Sequence, residues 1–320
     1  KTEMTKPKLS FWQIWNLSFG FLGVQIGYSL QNSNTSSIFE SLGADVSHLS
    51  YFWLAAPLAG MIVQPIVGLF SDGTWTRWGR RIPYILGGSL ISALALVLMP
   101  NCPKLLAFAP LAMGAFILLF MDLSFNVTMQ PFRALVADML DDSQKTQGYV
   151  VQTFLINLGA VVGAILPLVM TWLGVSDEAA PGHVSPHIAY SYYAGGAILL
   201  LTVLVTSFKT REYPPGEFAR YNNLSEEDAK PVSFVGLMRN VPGVMVRLGV
   251  TQFFSWAALF LMWTYLKPAI TGVVTDHATG EVLSAGATQT WVGVLNGTYP
   301  IPACIAALFL EIGRASCRER

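Results

Sequence analysis

The sequence predicts an all-α membrane protein. Hydrophobic residues make up 53% of the 320 positions and charged residues only 12%, where a soluble domain carries about 25% charge. Mean hydropathy is +0.49. The apolar residues gather into eight segments separated by short polar connections. A helix needs roughly 20 apolar residues to cross a bilayer, and most of these segments reach that length. The zero net charge points to no particular partner, and nothing in the composition marks a nucleic-acid binder.

In chain order the segments run over Phe11–Asn32, Ser50–Phe70, Pro83–Met99, Leu105–Asp138, Tyr149–Gly174, Ile188–Phe208, Val244–Ile270 and Gln289–Leu310. The first is long enough to remain as a span and lacks the pattern of a cleaved signal peptide. The fourth exceeds the need of one span, so part of it tilts or projects from the bilayer. Between the sixth and seventh, Lys209–Pro242 is polar and holds Pro214, Pro215, Pro231 and the acidic cluster Glu226-Glu227-Asp228. That is linker composition, with a short amphipathic surface helix expected over Leu224–Arg239. The last ten residues, EIGRASCRER, break the pattern and look like translated sequencing adapter. The expected organisation is therefore six helices over 1–208, a linker over 209–243, two helices over 244–311 and an extraneous tail over 312–320. On this reading the chain is a fragment.

Lysine and arginine set the expected orientation. Fourteen lie at the N-terminus or in the even-numbered connections, among them Arg77, Arg80, Arg81, Lys145 and Arg211. The alternate connections hold only Lys104 and Lys267. This positive-inside bias places the N-terminus and central loop in the cytoplasm, and the chain in a cell's inner membrane as a multi-pass protein. Once the tail is set aside, Cys102 and Cys304 are isolated and read as small apolar side chains. The four histidines (His48, His183, His187 and His277) fall in the outer connections and read as solvated loop residues. No metal or cofactor is expected.

Within the fourth segment, Asp122 stands where hydrocarbon is expected, with Asn126, Pro131 and Arg133 following. A charge there costs about 2.5–3.5 kcal/mol even on the lenient insertion scale, so Asp122 is expected to face a wet cavity or a partner. Asp122 and Arg133 are eleven residues apart. That puts them within about 20° on the helix face but about 16 Å apart along it, so they share a stripe without touching. No partner for Asp122 is legible, and an unpaired carboxylate reads as the group that gains and loses a proton. Pro131 removes a backbone hydrogen bond just before Arg133, so a kink is expected there.

After the second segment, Gly79 permits a tight turn, and Arg80 and Arg81 anchor at headgroup level. Asp72, at the end of a span, is not explained by positive-inside charge. It reads as half of a charge-paired conformational latch, with Asp138 as a further partner for the arginines.

These motifs carry a resemblance. The run Gly68-Leu-Phe-Ser71-Asp72-Gly-Thr-Trp-Thr-Arg77-Trp-Gly79-Arg80-Arg81-Ile-Pro83-Tyr84 resembles the cytoplasmic loop of the major facilitator superfamily. Its four additional residues between the Asp and the Gly-Arg-Arg are similar to the sucrose–proton symporters of the glycoside–pentoside–hexuronide:cation symporter group. Gly23-Val24-Gln25-Ile-Gly27-Tyr-Ser-Leu30-Gln31 resembles that family's first span, and Gly60-Met-Ile62-Val63-Gln64-Pro65 its second. In the fourth, Asp122, Asn126, Pro131, Arg133, Ala134, Leu135, Ala137 and Asp138 match, whereas Gln130 lies one position later than the family's glutamine.

The resemblance implies a major facilitator fold with about 8 of 12 helices present. It also implies sugar import by cation symport with alternating access, Asp122 serving proton coupling and Arg133 serving sugar binding. Sucrose, maltose or another glycoside is the expected substrate. A proton is expected in preference to sodium, because sodium needs several hard oxygen ligands and the second segment offers only Gln64. Further sugar-site candidates are Asn126, Gln25, Tyr28 and Asn32, with Gln152 and Asn157 on the fifth segment and Gln252 and Trp256 on the seventh. The protein is expected to act as a monomer. The alternatives are a uniporter and a sugar sensor that moves nothing. An enzyme is disfavoured, because the spans hold no nucleophile–base pair.

Overall fold

Ser10 opens the first helix with a capping box: its hydroxyl accepts from the Gln13 amide at 3.4 Å, and the Gln13 side chain accepts from the Ser10 amide at 2.8 Å. From there α1 runs over Phe11–Ser41. That is well past the expected end at Asn32, because the polar run from Ser33 to Ser36 is buried among other helices rather than exposed as a loop. The computed structural model describes residues 6–45, 55–180, 182–222, 236, 241–271, 273, 275 and 280–306. The tail over 312–320, the Leu224–Arg239 surface helix (Gly236 apart), His48 and His277 lie outside them.

Among the described residues, seven more long or medium helices follow: α2 over Ala55–Gly73, α3 over Ile82–Leu98, α4 over Pro110–Met139, α5 over Lys145–Trp172, α6 over Pro186–Lys209, α8 over Gly243–Ile270 and α9 over Ala285–Thr298. A short α7, Pro215–Tyr221, lies between α6 and α8. The described parts of the eight apolar segments thus fall mainly on helices, and the described residues contain no strand beyond isolated bridges at Thr76–Gly79 and Thr275–Val282. Among the described residues, five helical stretches are long and apolar enough to cross a membrane: Ile82–Leu105, Pro110–Met139, Lys145–Trp172, Pro186–Lys209 and Gly243–Trp263. The first of these continues α3 through a tight turn at Met99–Asn101 into Cys102–Leu105. Proline occupies the first turn of α3, α4 and α6, where a missing N–H costs nothing. Pro131 sits inside α4, which continues to Met139.

At the centre, α1 packs most extensively on α5 and α6, and α4 lies against α2 and α3. Phe21 of α1 stacks on Phe132 of α4, with ring centroids 5.3 Å apart. The α1–α5 seam is set by glycine. A Cβ at Gly159 would lie 2.5 Å from the Leu22 carbonyl oxygen, and one at Gly163 2.5 Å from that of Ile26. Small residues let helix backbones approach where lipid offers no hydrophobic drive for association. The α1–α6 seam adds hydrogen bonds: Thr206 Oγ1 accepts from the Gly20 amide and donates to the Asn16 carbonyl, both at 2.7 Å. α9 rests on α5 and α1, and α8 touches the edges of α1 and α9.

His187 departs from its expected solvated place. It opens α6 fully buried, its amide donating to the Ser176 carbonyl at 3.2 Å, because the preceding connection folds back over the helix end. His183 is exposed, as expected.

Replacing Gly163 with Val is expected to lower thermal stability in detergent by overpacking worth about 1–3 kcal/mol. Gly87→Ala, at a site with open space around it, should leave the melting midpoint unchanged in the same thermal-shift measurement.

Candidate functional site

Asp122 sits midway along α4 and is only 1% exposed. It neither faces lipid nor opens onto solvent. One carboxylate oxygen accepts from Gln31 Nε2 on α1, a partner that sequence reasoning did not provide. No lysine or arginine among the described residues pairs with Asp122. Its second oxygen and the Gln31 carbonyl oxygen are both buried without a partner among the described residues. The polar chain continues along α4 and across to α2: Asn126 Nδ2 donates to the Asp122 backbone carbonyl at 2.8 Å, and Gln64 Nε2 donates to Asn126 Oδ1 at 2.6 Å. Three helices therefore meet through Gln31, Asp122, Asn126 and Gln64.

The other sugar-site candidates divide. Tyr28 packs edge-on against Phe125 of α4 at 5.7 Å, and its hydroxyl lies beside the Asn32 side chain. Tyr28, Asn32, Asn126 and Asp122 thus form one neighbourhood, with Arg133 exposed a few turns along α4. Gln25 turns instead to the α5 crossing at Gly159. Gln152 is buried and donates to the Phe132 carbonyl at 3.1 Å, tying α5 to α4. Asn157 donates to the Thr153 carbonyl of its own helix at 2.8 Å. Gln252 and Trp256 lie on exposed surface of α8, where Trp256 packs against Trp263 at 6.0 Å.

At the end of the bundle where α1 begins, the loop from α2 to α3 forms a charged knot. Arg80 pairs with Asp138 at 2.7 Å, and Arg81 pairs with Asp138 at 2.9 Å and with Asp72. The Arg81 side chain is only 6% exposed and also donates to Ser71 Oγ at 2.5 Å. Asp72, Arg80, Arg81 and Asp138 are thus brought together as the residue types implied. Sequence reasoning missed Glu212, which follows α6 and accepts from the backbone amides of Arg81 at 2.8 Å and Ile82 at 2.9 Å. Burial pushes its carboxyl above the usual carboxylate range, and the amide hydrogen bonds draw it partly back. Gly79 sits against this carboxylate with φ +115°, a left-handed conformation that favours glycine, and a Cβ would collide with Glu212. The Arg80 guanidinium lies 3.9 Å above the Phe218 ring of α7.

The opposite end of α1 carries a second set of contacts. Lys267 of α8, 7% exposed, pairs with Glu40 and donates to Ser37 Oγ at 3.0 Å. Gln289 of α9 donates to the Ser33 carbonyl at 2.5 Å and to Asn34 Oδ1 at 3.0 Å. Lys267, one of two basic residues outside the positive-inside pattern, is therefore held in an ion pair. A lone Lys and a lone Glu 227 positions apart left no signal by which to join them.

A family model described as MFS/sugar transport protein matches residues 38–291. Among similar proteins, sucrose transport protein SUT1 of Oryza sativa subsp. japonica is 27% identical over 267 residues, covering 75% of this chain and 49% of its own length. The general alpha-glucoside permease of Schizosaccharomyces pombe is 25% identical over 293 residues, 85% of this chain and 50% of its own. Sucrose transport protein SUC4 of Arabidopsis thaliana is 27% identical over 259 residues, 74% and 50% respectively. The chain spans about half the length of these relatives.

Asp138→Ala would leave Arg80 without its carboxylate and Arg81 with Asp72 and Ser71 alone, and is expected to cost about 2 kcal/mol. Hydrogen exchange should then rise over residues 74–82 while the α1–α5 seam stays protected. Unchanged exchange in the loop would show that the knot does not hold it.

Proposed function

Because the chain belongs to the MFS/sugar transport protein family, we propose that it forms part of a secondary active transporter. The transporter imports a sugar, a disaccharide or glycoside such as sucrose or maltose, by proton symport with alternating access. The observation that carries the reading is Asp122, a buried carboxyl with a neutral amide partner and no cation among the described residues. The relatives' names, sucrose transport protein and general alpha-glucoside permease, point to the same substrate class.

The chemistry of the pair explains how a proton is carried. A carboxylate accepts from the Gln31 amide N–H, whereas a carboxylic acid donates its O–H and needs an acceptor. A turn of the Gln31 amide presents its carbonyl oxygen to the acid, so both protonation states keep a hydrogen bond. Protonation also removes the charge whose burial is costly, which lets the helix carrying Asp122 rearrange. The engagement of Gln64 with Asn126 favours a proton over sodium. Tyr28, Asn32, Asn126 and Arg133 offer the hydroxyl, amides and cation that a sugar's hydroxyls need.

The two ends of α1 supply the points of conformational control. Asp72, Gly79, Arg80, Arg81 and Asp138 form the latch at one end. At the other, Lys267 and Glu40 tie α8 to α1, so opening that end requires their separation. On this reading 1–208 is one structural half, 209–243 a linker and 244–311 the start of the second half. The Lys and Arg distribution puts the latch end and the N-terminus in the cytoplasm, with the protein a monomer in the inner membrane.

The test is sugar uptake into energised vesicles by the product of the longest open reading frame. Asp122→Asn is expected to abolish accumulation against a gradient while leaving sugar exchange at equal concentrations. A variant that still concentrates sugar refutes the coupling role. Gln31→Leu should shift the pH dependence of uptake, whereas loss of uptake without a changed pH profile would mark Gln31 as structural. Glu40→Gln is expected to raise labelling of a cysteine placed at Ser37 from outside the vesicle, and unchanged labelling would remove the outer tie from the mechanism.

A further inference from the structure

A cleft of about 570 Å³ opens beside the charged knot, between the α2–α3 loop and the end of α6. Its walls include Trp75, Arg77 and Trp78 from the loop and Ser207, Phe208 and Arg211 from α6 and the residues after it. Neither arginine has a carboxylate partner among the described residues; Arg77 instead lies 5.7 Å from the Trp78 ring. Glu212 borders the same cleft, but its oxygens are taken by the amides of Arg81 and Ile82. The cleft is therefore cationic in net terms.

Two observations point to what fills it. Ser207 is 8% exposed, and its hydroxyl is buried with no partner among the described residues. A buried donor left unmade is expensive, and Ser207 is one of the residues that line the cleft with Arg77 and Arg211. Guanidinium forks and hydroxyls are the donors that phosphate oxygens accept from. The surroundings then select a lipid over a soluble phosphate. Trp75 and Trp78 are half-exposed and Phe208 largely exposed, Trp78 packing 6.3 Å from Phe208, at the terminus of an apolar stretch long enough to span a membrane. Tryptophan and arginine at that level are the interfacial pair of a bilayer, and anionic headgroups draw basic residues there.

We propose that this cleft binds the headgroup of an anionic phospholipid. The phosphate lies between Arg77 and Arg211, a rotation of the Ser207 side chain turns its unpartnered hydroxyl toward it, and the acyl chains run along Phe208 and the outer face of α6. The bound lipid bridges the latch-bearing loop to α6 at a point next to Gly79, Arg80 and Arg81. The proposal needs only the membrane placement of α6 and stands whether or not the protein carries sugar.

The purified chain in neutral detergent, given equal amounts of phosphatidylglycerol and phosphatidylcholine, tests it by native mass spectrometry of retained lipid. The wild type should retain phosphatidylglycerol preferentially, and Arg77→Gln with Arg211→Gln should reduce that preference by about 25-fold, roughly fivefold per arginine. A charge-matched control, Lys8→Gln with Arg220→Gln, should keep it. Equal retention of the two lipids by the wild type overturns the proposal, as does an equal loss in the control pair, which would reduce the effect to net charge. Displacement of the lipid by millimolar glycerol 3-phosphate would also overturn it by assigning the cleft to a soluble phosphate.

Discussion

A carboxyl group in the middle of a packed helix bundle must be matched by a partner, and here the partner is an amide. That choice governs the surrounding structure. Gln31 reaches Asp122 only because α1 continues as a helix through a strongly polar run and stays buried there. An arginine in place of Gln31 would hold the carboxylate permanently charged. An aliphatic side chain would leave both oxygens unmet. The amide supports either protonation state, and that property suits a group that exchanges protons.

α1 also explains why the bundle is organised around one helix. Its middle lies close against α5 because glycines remove the side chains that would hold the backbones apart. Its two ends then enter different chemistry. Near the start of α1, arginines from the α2–α3 loop and carboxylates from α2 and α4 form a network closed by Glu212 from the segment after α6. Near its far end, the Lys267–Glu40 ion pair holds α8, and amide contacts from Gln289 and Asn296 hold α9. A network with several members resists the loss of one contact.

The proposed lipid cleft belongs to the first of these ends. Arg77 is separated from Arg80 by only two residues, yet it is excluded from the network because Gly79 turns the chain between them. Arg80 and Arg81 therefore go inward to the carboxylates and Arg77 remains at the surface with Arg211.

Sequence alone determined the parts that rest on local composition. The all-helical architecture was legible because each buried or lipid-facing segment must be apolar along its length. Asp122 was legible because a charge in such a segment is anomalous, and the arginine loop because Gly79 and its neighbours form a dense local pattern. The polar continuation of α1 was not legible, since hydropathy cannot distinguish a polar helix buried by neighbours from a loop. The pairings Gln31 with Asp122, Glu212 with the α3 amides and Lys267 with Glu40 were decided only by tertiary structure. Each joins residues far apart in the chain, and the energy of such a contact depends on distance and burial, which exist only once the helices are packed.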